Sequence, residues 1–468
     1  MSTSWRPNIL LIIADDLGKD VVNITGSGAS RTMQVSNDGI TNDLPNLSLL
    51  LRNGLYFEQA WAQPACSPTR ASIFTGTHSW RHGVGSPAGS HNLEQSNVAL
   101  PTVLPQEYVS GLFGKWHLGE ETPYLPTDHG WDKHVGTLDG VVPGPGGYFS
   151  WGKFDSDDWN YPTPVISAEY VTRDTVEEAA HWIKGLRSDA PWFATVAFHT
   201  PHTPFHEPPD GHNLPGAAGP QQQFNAMVQN MDHNIGRLFG AVGSSPIPAE
   251  QIENTVIIFI GDNGSDDPIA EFEEKTEIYE GGVRAPMIIA DGRALVQEVN
   301  GAATAPIYLD PGKLNDSSPR MVHVVDLFRT IADFAGVPGH ALPSIARDES
   351  KSLLDYVTRV GAQPSKRSFN FSQYFVSNRK QATLRNSEYK LNYQVNSPTV
   401  PVPPKFQLFE YVGGEIPGAE DDAGAPPPDL YASAVADPTS AEGVALTALL
   451  TELSNYEADA AGTPFDLS

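Results

Sequence analysis

The run Asn8-Ile9-Leu10-Leu11-Ile12-Ile13-Ala14, followed at once by Asp15-Asp16-Leu17-Gly18, decides the fold class. From Ile9 to Ala14 every side chain is apolar, without the alternation of a strand that has one wet face, so the run suits a central strand covered on both sides. The pattern recurs far along the chain. Thr255 to Ile260 reads T-V-I-I-F-I and is followed by Gly261-Asp262-Asn263-Gly264. Parallel strands of one sheet share a carboxyl edge, and open α/β sheets bind their ligands beyond that edge. Asp15, Asp16, Asp262 and Asn263 would then meet at one point. Three carboxylates and an amide gathered there call for a cation, and an all-oxygen set favours a hard ion, Ca²⁺ or Mg²⁺, over zinc. Two unrelated solvated Asx turns are the alternative.

The only cysteine lies between these strands, in Cys66-Ser67-Pro68-Thr69-Arg70. A helix is expected over Ser67 to Thr75, with Pro68 in its first turn and Gly76 as its stop. Cys66 then sits at the helix mouth, where free N–H groups and the dipole favour an anion. Arg70, about one turn on, can fork onto a tetrahedral oxyanion. The result is a cradle for a phosphate- or sulfate-like group. Gly111 to Gly119 reads G-L-F-G-K-W-H-L-G, and strand alternation would put Lys115 and His117 on one face. Another apolar strand, Pro191 to Phe198, delivers His199-Thr200-Pro201-His202-Thr203-Pro204-Phe205-His206. No helical i, i+4 pair or H-E-x-x-H pattern supports zinc there.

Around this frame, helices are expected over Leu44 to Arg52, Ser167 to Arg187 with Ser167 as cap, Gln221 to Leu238 and Val324 to Ala335. His82, Asp232 and Arg237 read as structural. An aromatic, glycine-rich stretch with Tyr148, Phe149, Trp151, Trp159 and Tyr161 either walls a pocket or packs on itself. Residues 20–43 and 140–165 give no further pattern. Polarity and proline rise around 345–366, so the chain divides into a catalytic α/β domain, 1–355, and a smaller α+β unit, 356–468. In the latter, Phe369 to Val376, Ala382 to Leu384, Tyr389 to Tyr393 and Phe406 to Tyr411 read as a small antiparallel sheet. Pro401 to Pro404 and 415–428 are expected as loops, and Val444 to Tyr456 as an amphipathic helix.

The formal net charge is −27, from 29 basic and 56 acidic side chains. Such a surface argues against nucleic acid or anionic membranes as partners. A single cysteine excludes an intramolecular disulfide framework and a cysteine-based zinc site. No transmembrane stretch is evident. Asn8 to Ala14 lacks a following cleavage pattern and reads as a strand rather than a signal peptide, which sets a cytoplasmic location as the expectation, with periplasmic or secreted as alternatives. Oligomeric state is open, with a homo-oligomer allowed.

The run C-S-P-T-R-A-S-I-F-T-G-T from Cys66 resembles the signature of type I sulfatases, whose cysteine is oxidised after translation to formylglycine. Arg81-His82-Gly83-Val84, the G-K-W-H-L-G run, Pro201-His202-Thr203-Pro204 and Tyr279-Glu280-Gly281-Gly282-Val283-Arg284-Ala285-Pro286 are similar to the same family. The likeness extends over nearly the whole chain. It implies an alkaline-phosphatase-like fold, with a large, mostly parallel mixed sheet flanked by helices and a small C-terminal antiparallel sheet with a helix. It implies hydrolysis of sulfate monoesters, aryl or sugar, by a formylglycine hydrate at residue 66. Asp15, Asp16, Asp262, Asn263 and residue 66 would hold Ca²⁺, with Mg²⁺ or Mn²⁺ as alternatives. Arg70 and Lys115 would hold the hydrate and sulfate, His202 and Lys275 would face the leaving group, and His117 would take a proton in releasing sulfate. A formylglycine-generating enzyme or another maturase is the implied partner. The alternative activities are a phosphodiesterase or phosphonate monoester hydrolase of the same superfamily, or a promiscuous enzyme doing both. Asp262-Asn263 favours the sulfatase, since many phosphate-acting relatives carry Asp-His there. A non-catalytic scaffold would show gaps among these residues, and none is seen.

Overall fold

The computed structural model describes residues 6–460 apart from 38, 88–91, 143, 145, 158–162, 210–218, 244–246, 271–274, 303–305, 377–378, 397–404 and 412–428. Trp159, Tyr161, Pro401 to Pro404 and 415–428 therefore lie outside the described residues. Strands follow in chain order as β1 Asn8–Ala14, β2 Val22–Thr25, β3 Thr32–Asn37, β4 Ile40–Leu44, β5 Gly54–Trp61, β6 Val109–Lys115, β7 Lys133–Thr137, β8 Trp151–Asp157, β9 Val165–Ser167, β10 Trp192–Ala197, β11 Thr255–Gly261, β12 Met287–Asp291 and β13 Asp316–His323. In the C-terminal part come β14 Asn370–Val376, β15 Arg379–Arg385, β16 Tyr389–Asn396 and β17 Lys405–Glu410.

A ten-stranded sheet runs β13-β5-β12-β11-β1-β10-β6-β7-β8-β9. Its middle, β11-β1-β10-β6-β7, is parallel throughout. The apolar runs predicted as central strands are those strands, and every residue of β1 and β11 is buried. Each face of the sheet carries its own apolar layer. Ile9, Leu11 and Ile13 point into one. Leu10, Ile12 and Ala14 point into the other, which is covered by the helices Pro45–Arg52, Val171–Gly185 and Pro220–Phe239. The period-two split of one continuous apolar strand between two cores is what a doubly covered sheet requires. The four C-terminal strands form a separate antiparallel sheet, β14-β15-β16-β17, with its own core against the helix Ala441–Ala460. Among the described residues, no helix is long and apolar enough to cross a membrane.

Three local expectations change. The helix expected to begin at Ser167 starts at Val171 with Tyr170 as cap, because Ser167 is held in β9 by pairing with Trp151. Strands β2, β3 and β4 form a three-stranded meander, with Met33 and Val35 inward while their neighbours face out. That alternation is present in the sequence as Thr-Met-Gln-Val-Ser, but is diluted by polar residues. Finally, β6 stops at Lys115. His117 leaves the strand with φ at 59°, so strand alternation is not what brings it beside Lys115.

Candidate active site

The parallel centre of the sheet places four strand ends along one edge. Ala14 lies level with Gly261 across β1 and β11, so Asp15-Asp16 and Asp262-Asn263 leave the sheet side by side. Asp262 N donates to Ala14 O at 2.9 Å, and Asp16 N donates to Asp262 Oδ1 at 3.1 Å. Asp16 takes the left-handed region, φ 62°, where a non-glycine residue needs such support. Asp15, Asp16 and Asp262 are buried and each offers an oxygen within 4.8 Å of the others.

Three basic side chains meet these carboxylates. Lys115 Nζ is 2.6 Å from Asp15, Lys275 Nζ is 2.7 Å from Asp16, and Arg70 lies 2.8 Å from Asp262. Charge is therefore balanced by the chain itself, which corrects the expectation that the acidic residues could not gather without a metal. The case for a cation rests instead on unsatisfied oxygens. Asp15 Oδ1 and Asn263 Oδ1 are buried and accept no hydrogen bond among the described residues. Asn263 is fixed in that orientation, because its Nδ2 donates to Asp16 Oδ1 and to Gly264 O, each at 2.8 Å. A buried carbonyl and carboxylate oxygen left bare beside three carboxylates fit a hard cation.

Cys66 is the first residue of a fully buried helix, Cys66–Thr75, which Gly76 ends in the left-handed region as expected. Its Sγ lies 3.2 Å from His117 Nδ1, within the fields of Lys115, Lys275, Asp15 and Asp262. Burial pushes the thiol pKa up, more than the two lysines lower it. Arg70, on the next turn, donates to Lys115 O at 2.9 Å as well as to Asp262, so helix, β6 and β11 are locked together. His202 Nε2 is 3.6 Å from Asp16, while its Nδ1 donates to Thr203 O at 2.8 Å.

Protonation follows from burial and neighbours. Burial, aided by Lys115, Arg70 and Lys275, holds the His117 pKa well below its ordinary value. His202 is pushed down to about 4 by burial, against the pull of Asp16. Both imidazoles are neutral near pH 7. Burial would lower Lys275, but Asp16 raises it, so its ammonium persists. Burial and the Asp15 charge lift Asp262 to about 7, opposed by Arg70 and Lys115. Asp16 goes the other way, because Lys275, His202 and Lys115 outweigh its burial.

All ten expected site residues, Asp15, Asp16, Cys66, Arg70, Lys115, His117, His202, Asp262, Asn263 and Lys275, thus come together. The residues read as structural lie in other networks. His82 pairs with Ser72. Asp232 accepts from Asn46 N and Leu47 N at the start of the helix Pro45–Arg52, and Arg237 pairs with Glu177. Other supports were not foreseen. Tyr148 OH lies 2.7 Å from both His199 O and His202 O, and its one proton is shared between the two carbonyls. Thr137 holds His199 at 2.7 Å. Gly140 lies so close to His117 that a Cβ there would be 2.2 Å from its ring. None carries a sequence signal beyond an aromatic loop or a glycine in a turn.

A family model described as Sulfatase matches residues 7–337. The chain belongs to the sulfatase family. This sulfatase is 28% identical over 425 residues to arylsulfatase A of Bos taurus, covering 84% of this chain and 76% of that protein. It is 26% identical over 365 residues to N-acetylgalactosamine-6-sulfatase of Homo sapiens, covering 71% and 62%. Among solved structures, BT4656 in complex with its substrate D-glucosamine-2-N,6-O-disulfate superimposes with a TM-score of 0.65 at 16% identity, covering 99% of this chain and 100% of the other. The fold is that of the alkaline-phosphatase-like sulfatases, and the protein is a sulfuric ester hydrolase.

Proposed function

We propose that this sulfatase hydrolyses a sulfate monoester of an aryl or sugar alcohol, using formylglycine matured from Cys66 and a Ca²⁺ site formed by Asp15, Asp16, Asp262, Asn263 and residue 66. The observation that carries it is the position of Cys66, at a buried helix mouth 3.2 Å from His117 and facing the Asp15–Asp16–Asp262 cluster. Converted to formylglycine by a maturase, residue 66 supplies a hydrated-aldehyde oxygen as nucleophile. When bound, the cation supplies Lewis-acid polarisation of the sulfuryl oxygens.

The remaining work falls to the chain. Arg70 and Lys115 are already oriented by Asp262 and Asp15, so they present positive charge to the sulfuryl group without reorganising, which is the main source of electrostatic catalysis. Lys275 keeps its proton at neutral pH and stands with His202 at Asp16, where the leaving oxygen would gather charge. Neutral His117 can take a proton from the residue 66 side chain as sulfate departs. The sugar relatives, human N-acetylgalactosamine-6-sulfatase and BT4656 with its disulfated glucosamine, support a sulfated sugar as one candidate class.

The test is a pair of initial rates, on p-nitrophenyl sulfate and on a p-nitrophenyl phosphonate monoester, with the residue 66 state known from peptide mass. Sulfate turnover that dominates and rises with formylglycine content is expected. Dominant phosphonate turnover would transfer the assignment to a phosphonate monoester hydrolase.

A further inference from the structure

The small antiparallel sheet packs against the two segments that carry Cys66 and Lys275. β14 docks on the segment that leads into Cys66: Ser372 Oγ donates to Ala62 O at 2.7 Å and Gln373 N donates to Gln63 Oε1 at 3.0 Å. On the same segment, Thr276 N, next to Lys275, donates to Pro64 O at 2.6 Å. Residues 62–64 are therefore tied to both β14 and the Lys275 loop. Phe375 turns into the core of the small sheet, so its neighbour Tyr374 projects to the opposite face, where it is half-buried.

Across the hairpin, the Arg379 guanidinium sits 5.4 Å from the centre of the Tyr374 ring. Arg379 is itself anchored on Glu277, which also accepts from Gln381 Nε2 at 3.3 Å. The ring is thus braced by a stacked cation whose partner lies two residues from Lys275. The Tyr374 hydroxyl also lies in the fields of Cys66 and Lys275. A tyrosine held in this way offers apolar area at little ordering cost.

Building on the sulfate-ester function proposed above, we propose that the half-buried Tyr374 ring seats the leaving group, and so selects esters whose alcohol is a ring with a flat apolar face, an aryl ring or a pyranose. Tyr374 is a binding contact outside the sulfate pocket. The loss of such a stack weakens ester binding without moving the groups that carry the chemistry.

The test compares wild type, Tyr374→Ala and Tyr374→Phe on p-nitrophenyl sulfate and N-acetylgalactosamine 6-sulfate, with inhibition by inorganic sulfate as a ringless control. Tyr374→Ala is expected to raise KM about tenfold on the ring ester, with kcat within about threefold. Tyr374→Phe should stay within about threefold of wild type in KM, and the sulfate inhibition constant should not move. Which of the two esters shows the larger KM shift separates the aryl from the sugar source. An unchanged KM in Tyr374→Ala would overturn the assignment. So would a rise in the sulfate inhibition constant as large as the rise in KM, or a Tyr374→Phe variant as impaired as the alanine. Wild-type protein with oxidised residue 66 that turns over neither ester would instead overturn the sulfate-ester function, and this contact with it.

Discussion

Cys66 shows how much a single residue depends on what surrounds it. As a lone buried cysteine it would be an ordinary small hydrophobe. At a helix mouth, 3.2 Å from His117 and in the field of two lysines, it is placed as a reactive centre. Cys66→Ala should therefore leave less than about 1% of sulfatase activity while the thermal midpoint stays near wild type, since one small side chain replaces another. Lys275→Ala should cost about 100- to 10,000-fold in kcat, the range for a proton-transfer group. Gly140 gives a sharper check. A methyl group there would meet the His117 ring at 2.2 Å, so Gly140→Ala should push the imidazole out of line and lower kcat about 100-fold, the cost of a small misplacement. Unchanged kinetics in that variant would mean that His117 does not need its present position. The residues of the Cys66 motif are legible because their spacing on a helix is local. Gly140 is not, because its role is to leave room for a ring that the sequence places elsewhere.

Among elements, a buried ion pair helps tie the C-terminal sheet to the rest of the chain, beside the buried Asp326–Arg367 pair and the β14 hydrogen bonds to Ala62 and Gln63. Glu280, in the helix Glu280–Val283, meets Lys390 of β16 at 2.7 Å, both fully buried. Burial raises the Glu280 pKa, but Lys390, with Arg385 and Arg284, outweighs it, and the folded value is about 2 against an ordinary 4.5. A depressed carboxylate pKa contributes stability that is complete above the unfolded value. That stability is lost as the pH falls from 4.5 toward 2. Glu280→Gln strands the Lys390 charge and should cost about 3 kcal/mol at pH 7. Urea unfolding should show the gap between wild type and variant closing over that acidic window; a constant gap would mean that Glu280 does not titrate with folding. The Glu-Gly-Gly run was visible as a motif. Its partner in β16 was not, because a pair between residues 110 positions apart leaves no spacing in the sequence.

At the scale of the molecule, the carboxylates and cations of the strand ends form a balanced cluster with two bare oxygens, which makes metal binding a stability question as well as a catalytic one. Removal of divalent ions should abolish activity and lower the thermal midpoint, and Ca²⁺ at a hundred times its Kd should return about 2.7 kcal/mol. A midpoint indifferent to chelation and to added Ca²⁺ would argue against a cation at this edge. The sequence by itself determined the sheet and its working edge. Long apolar runs followed by Asp-Asp and Gly-Asp-Asn suit doubly covered strands with their polar groups at the carboxyl ends, and both signals are local in the chain. Tertiary structure alone decided which cations meet which carboxylates and that His117 reaches Cys66 through a left-handed turn. It also decided that the C-terminal hairpin, through Arg379 on Glu277 and Gln373 on Gln63, sits against the segments that carry Lys275 and Cys66. Those contacts join residues far apart in the chain, and their geometry comes from packing, which no period or spacing encodes.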